Sequence, residues 1–161
     1  MDQVLLTPAP KLRRMGAYVH EAFFLTAFIF IVSLIFSKII GSGIEAMPPM
    51  TRYAMQALLF LSIGTYFIYQ WTSGRRTLAY KTWQLRLRNA KGEQLSRQQA
   101  IIRYVASWIG PMLAFFCYQF FGKTALFLLF LNVSFAWFSG RNLHDRVANT
   151  HIIFEPNTDK Q

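Results

Sequence analysis

Four long runs in this sequence carry almost no charge, and they limit what the chain can become. Residues 17–37 contain one acid, Glu21, whereas residues 53–74, 104–122 and 124–140 contain no charge at all. A helix needs about 20 apolar residues to cross the hydrocarbon core of a bilayer. The first three runs reach that length. The fourth is short, but Lys123 and Arg141 beside it can snorkel to the headgroups. Lipid offers no hydrogen bonds to an open backbone, so such runs must be helices. Strands of a membrane barrel would alternate in polarity, and these runs do not. The expected fold is an all-α membrane protein with about four transmembrane helices. The first run has the basic lead of a signal peptide in Lys11, Arg13 and Arg14. Glu21 interrupts its apolar stretch and no Ala-x-Ala site follows Phe36, so it reads as a retained anchor helix.

Composition closes off several alternatives. Of the 161 residues, 53% are hydrophobic and only 15% are charged, against about 25% charged in a typical soluble domain. A disordered chain would lack the 16 phenylalanines. Cys117 is the only cysteine, so neither an intrachain disulfide nor a cysteine-built zinc site can form. His20, His144 and His151 do not share the spacing of metal ligands, and no metal site is expected. No Gly-rich phosphate loop, nucleophile triad or cofactor motif is present. The expectation is therefore a protein that is not an enzyme and carries no cofactor.

The formal net charge of +10 is unevenly spread. Of 17 Lys and Arg residues, only Lys38, Arg52 and Lys123 fall in the loops on one side of the four runs. The others fall before the first run, between the second and third, at the start of the third, and after the fourth. Basic segments stay in the cytoplasm, so both termini are expected there, beside anionic lipid headgroups. The charge comes with no nucleic-acid recognition motif, and no nucleic-acid partner is expected.

The segments between the runs are also patterned. Gly41, Gly43, Pro48 and Pro49 make a short turn. In the loop at 71–99, Trp83, Leu85 and Leu87 alternate with Gln84, Arg86 and Arg88, the pattern of a half-buried strand. Residues 89–92 read as a turn. Ser96 and Gln99 form a capping box that opens a helix. Gly110-Pro111 predicts a kink near 107–111, because proline removes one backbone hydrogen bond. A second alternating run ends the chain, with Thr150, Ile152 and Phe154 set against His151 and Ile153. An isolated strand exposes unpaired backbone, so 82–88 and 149–154 are expected to pair as a small two-stranded cytoplasmic β-element.

Three segments then resemble the RDD family, small bacterial membrane proteins named for one arginine and two aspartates. The first is Arg14-Met15-Gly16-Ala17-Tyr18-Val19-His20-Glu21, in which Arg14, Ala17 and Glu21 occupy the family's Arg, Ala and Asp places. The second is Gly74-Arg75-Arg76-Thr77-Leu78-Ala79, with Gly74, Thr77 and Leu78 matching a Gly-Gln-Thr-Leu-Gly stretch. The Lys81-Thr82-Trp83-Gln84-Leu85-Arg86-Leu87 segment after it resembles the family's basic strand. The third is Leu143-His144-Asp145-Arg146-Val147-Ala148-Asn149-Thr150, with Asn149 where glycine is usual. The likeness spans residues 11–155 as a single domain, with 1–10 and 156–161 as short tails. The resemblance implies a bacterial inner-membrane protein related to transport, including exchange of monovalent cations for protons.

Arg14, Glu21, Arg141, His144 and Asp145 are the candidate site. An acid one turn inside a span is costly and should face other helices or water with a partner. Arg14, seven residues earlier, shares a helix face with Glu21. Asp145, His144 and Arg141 follow the fourth run at the same cytoplasmic level. Two roles are open. In one, Glu21 or Asp145 alternately holds a proton and a cation. In the other, ion pairs such as Arg14–Asp145 and Glu21–Arg141 staple the first helix to the tail. Four short helices enclose little volume, which favours a homo-oligomer for any transport path. The alternative is a non-transporting accessory protein that binds a membrane partner through its basic inner loop.

Overall fold

The computed structural model describes residues 8–41, 43–127 and 141–155. Helix α1 (Lys11–Ile40) is followed by a 3-10 turn (Ile44–Ala46) and by α2 (Pro49–Trp71). Short α3 (Leu78–Thr82) leads into strand β1 (Leu85–Asn89). Helices α4 (Arg97–Ser107) and α5 (Ile109–Phe121) run on from it, and a second 3-10 turn spans Gly122–Leu126. After residue 141 come α6 (Leu143–Val147) and β2 (Thr150–Phe154). The chain is mostly helical with one small sheet.

Two helices are long and apolar enough to cross a membrane: α1, and the α4–α5 stretch from Arg97 to Thr124. Their apolar side chains point outward. Phe23, Phe30, Ile35 and Ile39 on α1 are exposed, as are Met112, Phe115 and Phe120 on α5. A water-soluble protein would bury such residues; a lipid-facing helix has no reason to. Helix α2 has the length at 23 residues. Gln56, Ser62, Thr65 and Gln70 along it make it less apolar than the other two. The expected fourth run falls mostly on 128–140, outside the described residues, so four crossings remain an expectation.

The interruption at Gly110-Pro111 appears as a break at Trp108, between α4 and α5. Pro111 has no N–H to offer the carbonyl of Ser107 four residues back. The Trp108 N–H bonds instead to the carbonyl of Val105 at 3.1 Å. The helix restarts with the Met112 N–H on the Trp108 carbonyl at 2.9 Å. The capping box is formed as expected. The Gln99 N–H donates to Ser96 Oγ, and the Ser96 N–H to Gln99 Oε1, each at 3.2 Å.

The two strands pair antiparallel, Leu85 with Phe154 and Leu87 with Ile152. The first strand begins three residues later than its alternation suggests. Gln84 sits at φ 56°, a left-handed conformation that breaks an extended strand, and Trp83 caps α3. Leu85 and Leu87 are buried, with Arg86 and Arg88 half-buried between them. The Asn89 side chain closes the turn that follows, accepting from the N–H groups of Lys91 and Glu93 at 2.9 Å each. Ile153 is also buried, which the alternation does not anticipate. The reason is a third stretch of chain: Pro8 bridges Ile153, and the Ala9 N–H bonds to the Ile152 carbonyl at 3.1 Å. Chain from before α1, from between α2 and α4, and from after α6 therefore meets in one β-element.

Close approach of helices rests on Gly64. A Cβ built there would lie 2.7 Å from the Tyr104 ring, so α2 and α4 can pack this closely only over a glycine. The Tyr104 hydroxyl donates to the Phe60 carbonyl at 2.6 Å, and its ring lies 5.2 Å from that of Phe60. Gly64→Ala should destabilise the protein by about 1–3 kcal/mol through overpacking. Adding Tyr104→Leu should recover part of that loss. Thermal unfolding in detergent reads both. Equal stability of the wild type and Gly64→Ala would show that α2 and α4 do not pack through this contact.

Candidate functional site

The centre of the β-element side is a buried ion pair. Arg103, the fourth residue after the Gln99 of the capping box, projects from α4 and is 1% exposed. Its guanidinium Nη1 binds Asp145 Oδ1 on α6, and the same nitrogen donates to Thr150 Oγ1 at 2.9 Å. The ring of Trp71, at the end of α2, lies 4.7 Å from the guanidinium carbon. Asp145 is held on its other side as well. The Asn142 N–H donates to Asp145 Oδ2 at 3.3 Å, which closes a capping box at the start of α6. Burial is the largest single influence and pushes the Asp145 carboxyl up, but the Arg103 charge, the neighbouring His144 and the hydrogen bonds from Asn142 and Arg103 together outweigh it and hold the carboxyl below its ordinary value.

Around this pair the flanking residues lock the tail. Arg141 donates to the carbonyls of Asp145 (3.3 Å) and Thr150 (3.0 Å), bracing the turn between α6 and β2. That turn holds Asn149 at φ 50°, a left-handed conformation that suits glycine and is tolerated best by Asn among side-chain-bearing residues. The Asn142 side-chain amide donates to the Tyr18 hydroxyl on α1 at 2.6 Å, so the tail is tied to the first helix one turn after Arg14. Arg14 itself is buried. His144 Nε2 lies 3.8 Å from Asp145 Oδ1. Burial and the Arg103 charge lower its pKa to about 4, against a smaller upward pull from Asp145. His144 is therefore neutral at physiological pH.

Glu21 sits apart from this pair and has a different partner. Thr77 Oγ1 donates to Glu21 Oε1 at 2.6 Å. The same hydroxyl oxygen accepts from the Tyr80 N–H at 3.2 Å, capping α3. One threonine thus starts α3 and fixes the acid of α1. Gly74, at φ 70°, turns the chain from α2 into this cap. Tyr80, 2% exposed, lies within electrostatic reach of Arg103, Tyr18, Glu21 and Asp145. Burial pushes its phenol well above the ordinary value, so it stays protonated. Beside Glu21 is a small cavity lined by His20, Glu21, Phe24, Tyr66, Phe67 and Leu78, with room for about one water.

The candidate residues are thus gathered at one end of the helices, with a division of partners. Asp145 is bound by Arg103, and Glu21 by Thr77. His144 and Arg141 flank Asp145. Arg103, Tyr18, Tyr80 and Asn142 stand at the centre and were not among the expected site residues. The signal for Arg103 is visible in retrospect: an arginine between Ala100, Tyr104 and Ala106, all buried, cannot point to water from that helix face. Thr77 and Thr150, matched only as motif positions, turn out to be the hydroxyls that touch the two acids and the arginine.

The first motif segment therefore meets the second through Glu21 and Thr77 and is tied through Tyr18 to Asn142, just ahead of the third, which meets α4 through Asp145. The RDD family model matches residues 8–149. The chain belongs to the RDD family. No curated protein and no solved structure matches it. Family membership and the apolar helices together mark this RDD protein as a membrane protein.

Two outcomes follow from the buried pair. Removing one partner leaves an uncompensated buried charge, a loss of roughly 3–5 kcal/mol, whereas an apolar pair of similar volume costs far less. Asp145→Ala should abolish or sharply lower the thermal unfolding transition in detergent, and Arg103→Met with Asp145→Leu should be more stable than either single change. Two additive losses would mean the charges are not coupled. Acid should also weaken the fold in two steps. Below about pH 6.5 the unfolded His144 takes a proton that the folded one refuses until about pH 4. The Asp145 contribution is present above its unfolded pKa of 3.8 and is lost as pH falls through its lowered folded value. His144→Gln should flatten the stability profile between pH 6.5 and 4 and leave the steeper loss at lower pH.

Proposed function

We propose that this RDD-family protein is a transport-related protein of the bacterial inner membrane that exchanges a monovalent cation for a proton, with Glu21 as the carboxylate that changes state. The observation that carries the reading is the contrast between the two acids. Asp145 is neutralised by a fixed arginine and serves as a staple. Glu21 is held by a neutral hydroxyl and borders a cavity with space for about one water. Among the described residues no arginine or lysine is bonded to Glu21, so its protonation leaves no buried cation unpaired, and its ionised form is balanced by the exchanged cation.

Both termini are assigned to the cytoplasm. The basic residues favour that side, and the meeting of Pro8, β1 and β2 in one β-element supports a shared side for three separated parts of the chain. The mostly exposed surface of α5 suits contact with lipid or a second copy, and an oligomer would supply the path that one subunit is too small to enclose. The protein is assigned no catalytic role. The accessory-protein alternative asks the basic inner loop to recruit a partner. Several of its arginines are already engaged: Arg86 Nε lies 2.5 Å from Glu155 Oε2, and Arg75 stacks on Tyr69 at 4.0 Å.

The deciding experiment is flux in proteoliposomes. Wild-type protein should couple monovalent cation movement to a proton gradient. Glu21→Gln should lose the coupled flux while still inserting, because Gln keeps an acceptor for Thr77. An absence of flux for every monovalent cation in wild-type vesicles ends the exchange reading. Recovery of one defined partner by crosslinking, released by Arg86→Ala with Arg88→Ala, would favour the accessory role.

A further inference from the structure

A second cavity lies far from the charged cluster. It has a volume of about 360 Å³ and is lined by Phe30, Ser33, Leu34 and Ser37 of α1, with Gly43 and Glu45 of the turn that follows. That volume falls within the range of about 300–1,000 Å³ typical of small-ligand sites. Ser33 is about 20 residues along α1 from Arg14, roughly 30 Å at 1.5 Å per residue, or about one hydrocarbon thickness. The cavity therefore opens at the opposite membrane boundary from the β-element.

Its walls are amphiphilic. Phe30 and Leu34 are apolar and partly exposed, and Ser33, about nine-tenths buried, sets a hydroxyl-bearing residue between them. Glu45 brings a carboxylate to the rim. It lies next to the C-terminal end of α1, where Gly41 caps the helix in a left-handed conformation with its N–H on the Ser37 carbonyl. That end carries the negative pole of the helix dipole, which adds to the attraction for a cation. One cation is held against the backbone of the same turn. Arg52 of α2 donates to the carbonyls of Glu45 (3.4 Å) and Met47 (3.3 Å), and Lys38 occupies the last turn of α1. A carboxylate on the rim of an apolar slot, with the Arg52 guanidinium on the backbone of that same residue, complements a zwitterion with an attached hydrocarbon chain.

We propose that this cavity binds the headgroup of a phosphatidylethanolamine-type lipid, with its ammonium on Glu45, its phosphate toward Arg52, and an acyl chain along Phe30 and Leu34. A primary ammonium donates hydrogen bonds to a carboxylate, which a quaternary ammonium cannot do and a glycerol headgroup does without charge. The site selects for headgroup chemistry rather than for chain burial. It needs the protein to lie in a bilayer, and it is independent of exchange at Glu21.

Native mass spectrometry of the full chain tests this, with equal amounts of phosphatidylethanolamine, phosphatidylcholine and phosphatidylglycerol of matched chains in the micelle. Phosphatidylethanolamine should be retained in preference to the other two. Glu45→Gln should cut that retention about tenfold, the scale of one charge-assisted hydrogen bond, and Glu45→Asp should keep most of it. Ser33→Phe, which plugs the slot from the opposite wall, should abolish it. Thermal unfolding confirms that each variant is folded, and Glu21→Gln should retain the lipid like the wild type. Equal retention of the three lipids by the wild type overturns the proposal, as does undiminished retention by folded Glu45→Gln or Ser33→Phe.

Discussion

The Arg103–Asp145 pair is the contact through which distant parts of this chain are held in one arrangement. Both side chains are almost wholly out of water, 1% and 3% exposed. Taking two charges from water costs several kcal/mol each, and their attraction returns this only if the remaining polar atoms are also satisfied. The surroundings meet much of that condition from four directions, although Arg103 Nε has no hydrogen-bond partner among the described residues. Thr150 accepts from the guanidinium, Asn142 donates to the carboxylate, Trp71 presents its ring face, and Arg141 braces the carbonyls behind. Apolar helix surfaces alone could not fix the arrangement, since lipid covers them as well as another helix does. Specific tertiary structure in such a protein has to come from polar contacts and close small-residue packing. Here the polar contacts lie at the β-element end, and Gly64 against Tyr104 supplies the close packing.

The sheet gains its importance from the same economy. Two five-residue strands alone would be marginal. They persist because Leu85 and Leu87 are buried with the ends of α2 and α4, and because Thr150, the first residue of β2, is a ligand of Arg103. The segment at Pro8 and Ala9 then pairs with the outer side of β2. Arg13 completes the join, with its guanidinium 4.4 Å from the centre of the Phe154 ring and a hydrogen bond to Gln84 Oε1 at 3.1 Å. The sheet is thus a clasp for three stretches of chain.

What could be read from the residues follows the range of the forces involved. Local rules act within a few residues, so the capping box at Ser96, the break at Pro111, the turn at Asn89 and the alternation in both strands were all legible. The pairing of the strands was legible by elimination, because each lacked a partner nearby. The partners of the acids were not. Arg14 and Arg141 are nearer in sequence to the two acids and share a helix face or a turn with them. Arg103 reaches Asp145 only because α4 packs beside α6, and no spacing rule encodes that contact. Thr77 was legible only as a motif position; its cap on α3 and its hydrogen bond to Glu21, which depends on how α1 crosses α3, were not. The left-handed Gln84 was invisible for another reason, since glutamine carries no preference for that conformation. The burial of Ile153 depended on Pro8 and Ala9, which read as part of a tail.

The glutamate in place of the family's first aspartate acquires a physical meaning from these contacts. A glutamate carries its carboxylate one methylene further from the α1 backbone than an aspartate would. Thr77 cannot move to meet a shorter arm freely, because its oxygen is committed to the Tyr80 N–H at the start of α3. Its proton is donated in a hydrogen bond to Glu21. The longer arm is therefore matched to a fixed donor. Arg103 is close enough to act on both acids electrostatically, yet its hydrogen bonds go to Asp145 and Thr150. One arginine thus sets the charge around two carboxylates while bonding to one. The bonded acid is held in place, and the other is left to a neutral partner.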